Sequence, residues 1–249
     1  MRRILVVILI IFLAIVGFFY YDHTSIKKEE ANREAFDQVM TEKMQQLSEQ
    51  AQNQVQPIEI DIHDPRLTGD YKILSEFLLK YWIRSVEIRN TYLNQLAEAK
   101  WDHFLDVNRL DQDRQKHFTE TTAMLITVRQ AMQKYQQQNT NTKKDELLQL
   151  TQLNLRKDLK KPLMDKLKQS SELDLENSLI LNELEILGKA ETMFDMLKKY
   201  EWKKQDHQIL FKEDAQVKQF NQLYQDVLRL NSQINLKKVQ NAEVLADEL

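Results

Sequence analysis

Apolar residues recur three or four positions apart along most of this chain, with Lys, Glu and Gln filling the positions between them. That is the period of an amphipathic helix. Between Ser25 and Val55 the apolar stripe is Phe36, Met40, Met44, Leu47 and Ala51, and its start signals are Thr24 and Ser25. From Tyr71 to about Asn108 the stripe runs Leu74, Leu78, Tyr81, Ser85, Ile88 and Tyr92, broadened by Trp82 and Trp101. Asp111 and Asp113 are placed to open the next helix, where acids suit the dipole. Phe118, Thr121, Leu125, Val128, Met132 and Tyr135 are its stripe.

The polar stretch Gln136–Thr142 reads as a loop. Thr142 and Asp145 then form a capping box for a helix carrying Leu148, Leu155 and Leu159. Pro162 predicts a break or kink near Lys160, because its ring clashes with the carbonyl four residues back. Ser171 and Asp174 signal another start, followed by Ile180, Leu184, Leu187, Phe194 and Leu197 and a basic end at Lys198, Lys199, Lys203 and Lys204. A last helix from about Lys212 aligns Val217, Phe220, Tyr224, Val227 and Ile234. Asn231 falls on that line, where a single Asn either fixes register between helices or sits on a solvated rim.

Two segments depart from the helical period. Ile4–Tyr21 is an unbroken apolar run of 18 residues, fourteen of them Leu, Ile, Val or Phe. That length suits a membrane span, and the summed insertion energy is roughly −4 to −8 kcal/mol. Ile4 opens the run, Phe12 and Phe18 lie within it, and Tyr20 and Tyr21 close it where interfacial aromatics belong. Arg2 and Arg3 ahead of it orient the N-terminus toward the cytoplasm. A cleaved signal peptide would have a shorter core and small residues at its end, so the run is expected to stay as an anchor. It holds no Asp, Glu, Lys, Arg or His and no GxxxG pair, which suits a passive tether.

The other departure is Gln56–Asp70. Ile58, Ile60 and Ile62 alternate with Glu59, Asp61 and His63, a period of two, between Pro57 and Pro65. This predicts an extended connector, and no second segment matches it as an in-chain strand partner. It either lays its three Ile onto a helical groove or adds a strand to a partner's sheet edge. These three residues are the candidate interaction site.

Composition sharpens the class. Three Gly and three Pro in 249 residues cannot supply the turns of a sandwich, a barrel or an alternating β/α fold. The chain has no Cys, which removes disulfides, thiol catalysis and cysteine-held zinc. Formal charge is −3; the first 21 residues hold two Arg and no acid, leaving 33 basic against 38 acidic residues, a formal −5. That balance disfavours nucleic acid as a partner.

The five His (His23, His63, His103, His117 and His207) are scattered. His117 and Glu120 read as one helix face with Asp113 a turn earlier, a pattern that solvated ion pairs produce routinely. Asp61, His63 and Asp64 cluster in the connector, where an Asp before Pro65 suits a turn. Asp111-Gln-Asp113 begins like a calcium loop and lacks its Gly and distal Glu. No catalytic, cofactor-binding or metal-ligating residue is assigned, no cofactor is expected, and the chain reads as a non-enzyme.

The expectation is therefore an all-α protein: an N-terminal single transmembrane helix followed by an elongated antiparallel helical bundle, coiled-coil-like and exported. Residues 1–23 are the cytoplasmic tip and anchor, 24–56 a juxtamembrane helical stalk, 57–70 the connector and 71–249 the bundle. The expected site is the inner membrane, crossed once, with the bulk of the chain periplasmic. The expected role is a scaffold or adaptor working through helix-mediated contacts, with a protein partner or as a homo-oligomer. The alternative is a ligand-sensing bundle that acts through a partner membrane protein.

Overall fold

The computed structural model describes residues 27–52, 56–172 and 175–246. They form seven α-helices and one hairpin: α1 (Lys27–Gln50), α2 (Gly69–Glu98), α3 (Val107–Arg114), α4 (Thr119–Gln152), α5 (Lys157–Glu172), α6 (Leu175–Lys199), β1 (Trp202–Gln205), β2 (Gln208–Phe211) and α7 (Asp214–Ala246). Helix makes up 78% where an average domain has about a third, so the fold is all-α. The span expected at Ile4–Tyr21, with Ile4, Phe12, Phe18, Tyr20 and Tyr21, lies outside the described residues, as do Thr24, Ser25 and His23. Among the described residues no helix is long and apolar enough to cross a membrane.

The chain divides into two compact units. One draws on residues up to Thr91, on Gln137 to the end of α5, and on residues from Lys237 onward; the other draws on Tyr92–Gln136 and Leu175–Leu236. In the first unit Phe36, Met40, Met44 and Leu47 of α1 are almost wholly buried with Leu74, Leu78 and Trp82 of α2 and Leu150 of α4. Phe36 and Tyr71 pack ring to ring at 5.5 Å. The stripe read along α1 is thus a core face. The stalk expected over 24–56 is, in its described part, a core helix of this unit, because its apolar face is matched by that of α2.

In the second unit Phe118, in the turn just before α4, and Leu125, Val128 and Met132 of α4 meet Leu187, Met193, Phe194 and Leu197 of α6. Phe118 and Phe194 cross edge to face at 5.5 Å. A smaller cluster joins Ile186 to Leu230 and Ile234 of α7. Asn231 is exposed, which places it on the solvated rim, and Tyr224 is also exposed.

Several helix ends fall elsewhere than the pattern predicts. The helix expected to Asn108 stops at Glu98; Lys100 takes a left-handed φ of 55° and a short 3-10 turn follows. Gln136–Thr142 is no loop: it lies inside the unbroken α4, since Gln, Asn and Thr tolerate helix and no Gly or Pro interrupts them. Thr142 accordingly caps nothing and is buried at mid-helix, while Leu148 points to solvent. The break expected near Lys160 comes earlier, at 153–156, and Pro162 is carried inside α5. Lys160 closes that break instead: its ammonium donates to the carbonyls of Thr151 and Leu153 at 2.7 and 2.8 Å, a cation at a helix C-terminus. The start signalled by Ser171 and Asp174 rests on side chains outside those described. Lys203 and Lys204 belong to β1, paired antiparallel with β2 so that Trp202 faces Phe211. Asp206, at φ 52° in the tight connection, supplies the left-handed residue that such a turn requires.

The corner between α3 and α4 shows how this chain turns without glycine. Asp106 caps α3, accepting from the amides of Asn108 and Arg109 at 2.9 and 3.0 Å. Asp113, at the far end of the same helix, caps α4 across the turn. It accepts from the Glu120 amide at 2.9 Å, the Thr121 amide at 2.7 Å and the Thr121 hydroxyl at 2.6 Å. Asp113 thus opens the next helix as its position predicts, by reaching over the turn. Burial works against its charge, but the Thr121 and Glu120 hydrogen bonds and nearby Arg109 outweigh it and hold the carboxyl below the usual aspartate range. Arg109 also donates to the Thr121 hydroxyl at 2.9 Å. The turn takes two successive left-handed residues, His117 and Phe118, at φ 56° and 55°, a conformation costing about 1–2 kcal/mol per non-glycine residue.

Asp113→Ala should therefore cost about 2–4 kcal/mol, a lost cap plus orphaned buried partners. Asp106→Ala, at an exposed cap, should cost about 1 kcal/mol. Urea denaturation followed by circular dichroism compares the two, and equal losses would reduce Asp113 to an ordinary cap.

Candidate functional site

Residues 57–64 run extended across the first unit, with burial alternating at every step. Ile58, Ile60 and Ile62 are half-buried against the core of α1 and α2, and Glu59, Asp61 and His63 face outward. The period of two read in the sequence is the alternation of side chains across an extended backbone. The segment forms no ladder with another strand among the described residues. It lies as a strap on helices.

Side chains hold both ends of this strap. The Gln50 amide brackets the Glu59 backbone: its Nε2 donates to the Glu59 carbonyl at 2.9 Å and its Oε1 accepts from the Glu59 amide at 2.7 Å. One side chain thereby makes the two bonds a neighbouring strand would make. At the other end Asp64 and Pro65 form a turn closed by the Leu67 amide on the Asp64 carbonyl at 3.1 Å. Arg66 folds back onto Asp64, with Nε 2.9 Å from Oδ1 and Nη2 2.9 Å from Oδ2. The same guanidinium grips Glu42 of α1 at 3.0 and 2.6 Å. Two bidentate carboxylates on one guanidinium make a directional clamp. Arg66 holds the Asp64 carboxyl down to about 2, and Glu42 is also lowered, first by its bond to Arg66.

The remaining polar groups tie the strap to α2. His63 places Nδ1 2.8 Å from Glu76 Oε1, and its amide donates to Asp61 Oδ1 at 2.9 Å. The Asp61, His63 and Asp64 side chains of the cluster thus point to different partners: the His63 backbone amide, Glu76 and Arg66. Asp111 meets Arg114 at 2.6 Å while Asp113 turns inward. His117 sits in the turn ahead of α4, so it shares no helix face with Glu120. Among the described residues no group of three or more His, Asp or Glu converges as metal ligands would.

Gln50, Glu42, Arg66 and Glu76 carry the strap and were not singled out by sequence. The Asp-Pro-Arg run at 64–66 is a visible signal for the turn. Gln50 and Glu76 lie on helices and gain their meaning only when the strap crosses them.

In comparisons with family models, curated proteins and solved structures, nothing matches this chain. The functional reading rests on its own residues.

Asp64 supplies a pH test of the clamp. An unfolded Asp titrates near 3.9 and this one near 2. The lowered value stabilises the fold above about pH 4, and that contribution is lost as pH falls toward 2. Arg66→Met should flatten this part of the stability profile, measured by urea denaturation at a series of pH values. Identical acid profiles for the two proteins would show that the clamp contributes nothing.

Proposed function

We propose that this chain is a membrane-anchored, extracytoplasmic helical scaffold or adaptor that acts through protein contacts and performs no catalysis. The observation that carries the reading is the run Ile4–Tyr21 behind Arg2 and Arg3, followed closely by a packed helix. Five residues separate Tyr21 from Lys27, at most about 22 Å of extended chain from one to the other. An anchor there holds α1, and with it the core α1 shares, close to the bilayer. Asp64 and Asp113, both held below the usual aspartate range, support a structural role, since each is bound to the elements it joins. The Tyr92 hydroxyl likewise donates to Glu183 at 2.6 Å while its ring stacks on Tyr135 at 4.6 Å.

A reporter fused after Leu249 should be active only outside the cytoplasm, and the mature chain should begin at or near Met1. N-terminal sequencing that finds a start near Phe18 would replace the anchor by a cleaved leader.

One observation favours the second reading, a ligand-sensing bundle that works through a partner membrane protein. On the buried side of α4 the Thr142 hydroxyl and the Asn139 Nδ2 have no hydrogen-bond partner among the described residues. One turn on, burial pushes the Glu146 carboxyl up, against the lowering influence of Arg84. Such a polar layer suits a small polar guest or ordered water. Thr142→Val separates the cases. If the hydroxyl serves nothing, removing it should raise stability by about 1 kcal/mol, read as a higher melting temperature. A lower one would mean that the hydroxyl has a partner.

A further inference from the structure

The strap engages its apolar side chains fully but its backbone only in part. Successive residues of an extended chain turn their amide and carbonyl to opposite edges. On one edge Gln50 takes both backbone groups of Glu59, and the Asp61 carboxylate takes the His63 amide. The other edge belongs to Ile58, Ile60 and Ile62. Among the described residues none of their amides or carbonyls is hydrogen-bonded, although their side chains pack on the core. Unpaired peptide groups are costly away from water, so this edge lies open to solvent. Pro57 bounds it at one end, and the turn at Asp64 and Pro65 at the other.

We propose that this edge receives an extended segment of a partner protein as an added strand, with basic residues on the segment's outward side. A row of unpaired amides and carbonyls on a fixed extended backbone is the template for strand addition. The Gln50 bracket and the Arg66 clamp hold that backbone before anything binds, so little ordering cost falls on this side of the contact. Packing on the groove and pairing with a partner are compatible. The first uses the isoleucine side chains, the second their peptide groups. Three residues with free groups match an added strand of about five or six residues.

Charge selects the occupant. Glu59 and Asp61 are exposed on the outward face, and neither forms an ion pair among the described residues. The neighbouring carboxylates are already engaged, Glu42 and Asp64 by Arg66 and Glu76 by His63. Lys or Arg at alternate positions of the added strand faces Glu59 and Asp61, where opposite charges stabilise and like charges destabilise. The inward side of the segment lies toward α2, where His63 reaches Glu76. Ile73 and Ile83 share that helical face with Glu76 and are half-buried, which suits apolar residues at the intervening positions. Lys80, exposed on the same face, disfavours a cation there. In naming a partner's chemistry, the inference rests on the contact-based reading above.

The test uses the full-length chain in detergent and short fluorescent peptides that alternate Val with Lys, Ser or Glu, read by anisotropy. The Lys peptide should bind roughly tenfold tighter than the Glu peptide, the scale of a few cross-strand charge contacts. N-methylation at every second residue should abolish binding in one phase and spare it in the other, since only one edge of the peptide pairs. Glu59→Lys should erase the preference for the Lys peptide with its melting temperature unchanged. Equal binding of the Lys and Glu peptides, no binding by either, or equal loss from both methylation phases overturns the inference. A chain that sediments as a dimer and is split by the Lys peptide makes the occupant a second copy, which also overturns it. If the strand site fails while the reporter after Leu249 is active outside the cytoplasm, the anchored-scaffold reading survives that failure.

Discussion

Every helix leaves several amides at its start and several carbonyls at its end without partners. Most proteins close these ends with glycine, proline and short polar turns. This chain has three residues each of Gly and Pro, so side chains from other elements do the work. Asp113 caps α4 from the end of α3, and Lys160 of α5 caps the far end of α4. The Asn32 amide of α1 pairs with the backbone of Thr68 just before α2 begins. Each of these contacts both ends one helix and places another, which is why termination and packing cannot be separated in this fold.

The strap follows the same logic in a segment that is not helical. Its three Ile supply burial, but half-buried side chains on an extended backbone do not by themselves choose a path. The Gln50 bracket and the Arg66 clamp choose it, tying the segment to the end and the middle of α1. His63 ties it to α2. An extended segment held at three points over a helical groove presents Glu59 and Asp61 outward in a fixed register.

Much of the fold was legible because burial follows period. Met40, Met44, Leu78, Val128 and Leu187 were placed on core faces by spacing alone, and all are buried. The alternation of Ile58, Ile60 and Ile62 identified an extended segment in the same way, and left open what its apolar side would meet. Spacing failed at Leu148 and Tyr224, which keep the period yet point to solvent, because no other element among the described residues covers them.

What the sequence determined by itself is therefore the local term: which segments are helical, which side of each is apolar, and where an apolar run long enough for a bilayer lies. Only the tertiary structure decided where the helices stop. Gln136–Thr142 looked like a loop and is helix, with Thr142 buried in the packing of α4. Lys203 and Lys204 looked like a helix end and are strand because Trp202 is drawn into the core, its carbonyl held by Arg114 at 2.6 Å and its ring beneath that guanidinium at 4.3 Å. A helix end, a cap reached from another element and a buried carboxylate all depend on groups far apart in sequence. Their free energy exists only once those groups have met.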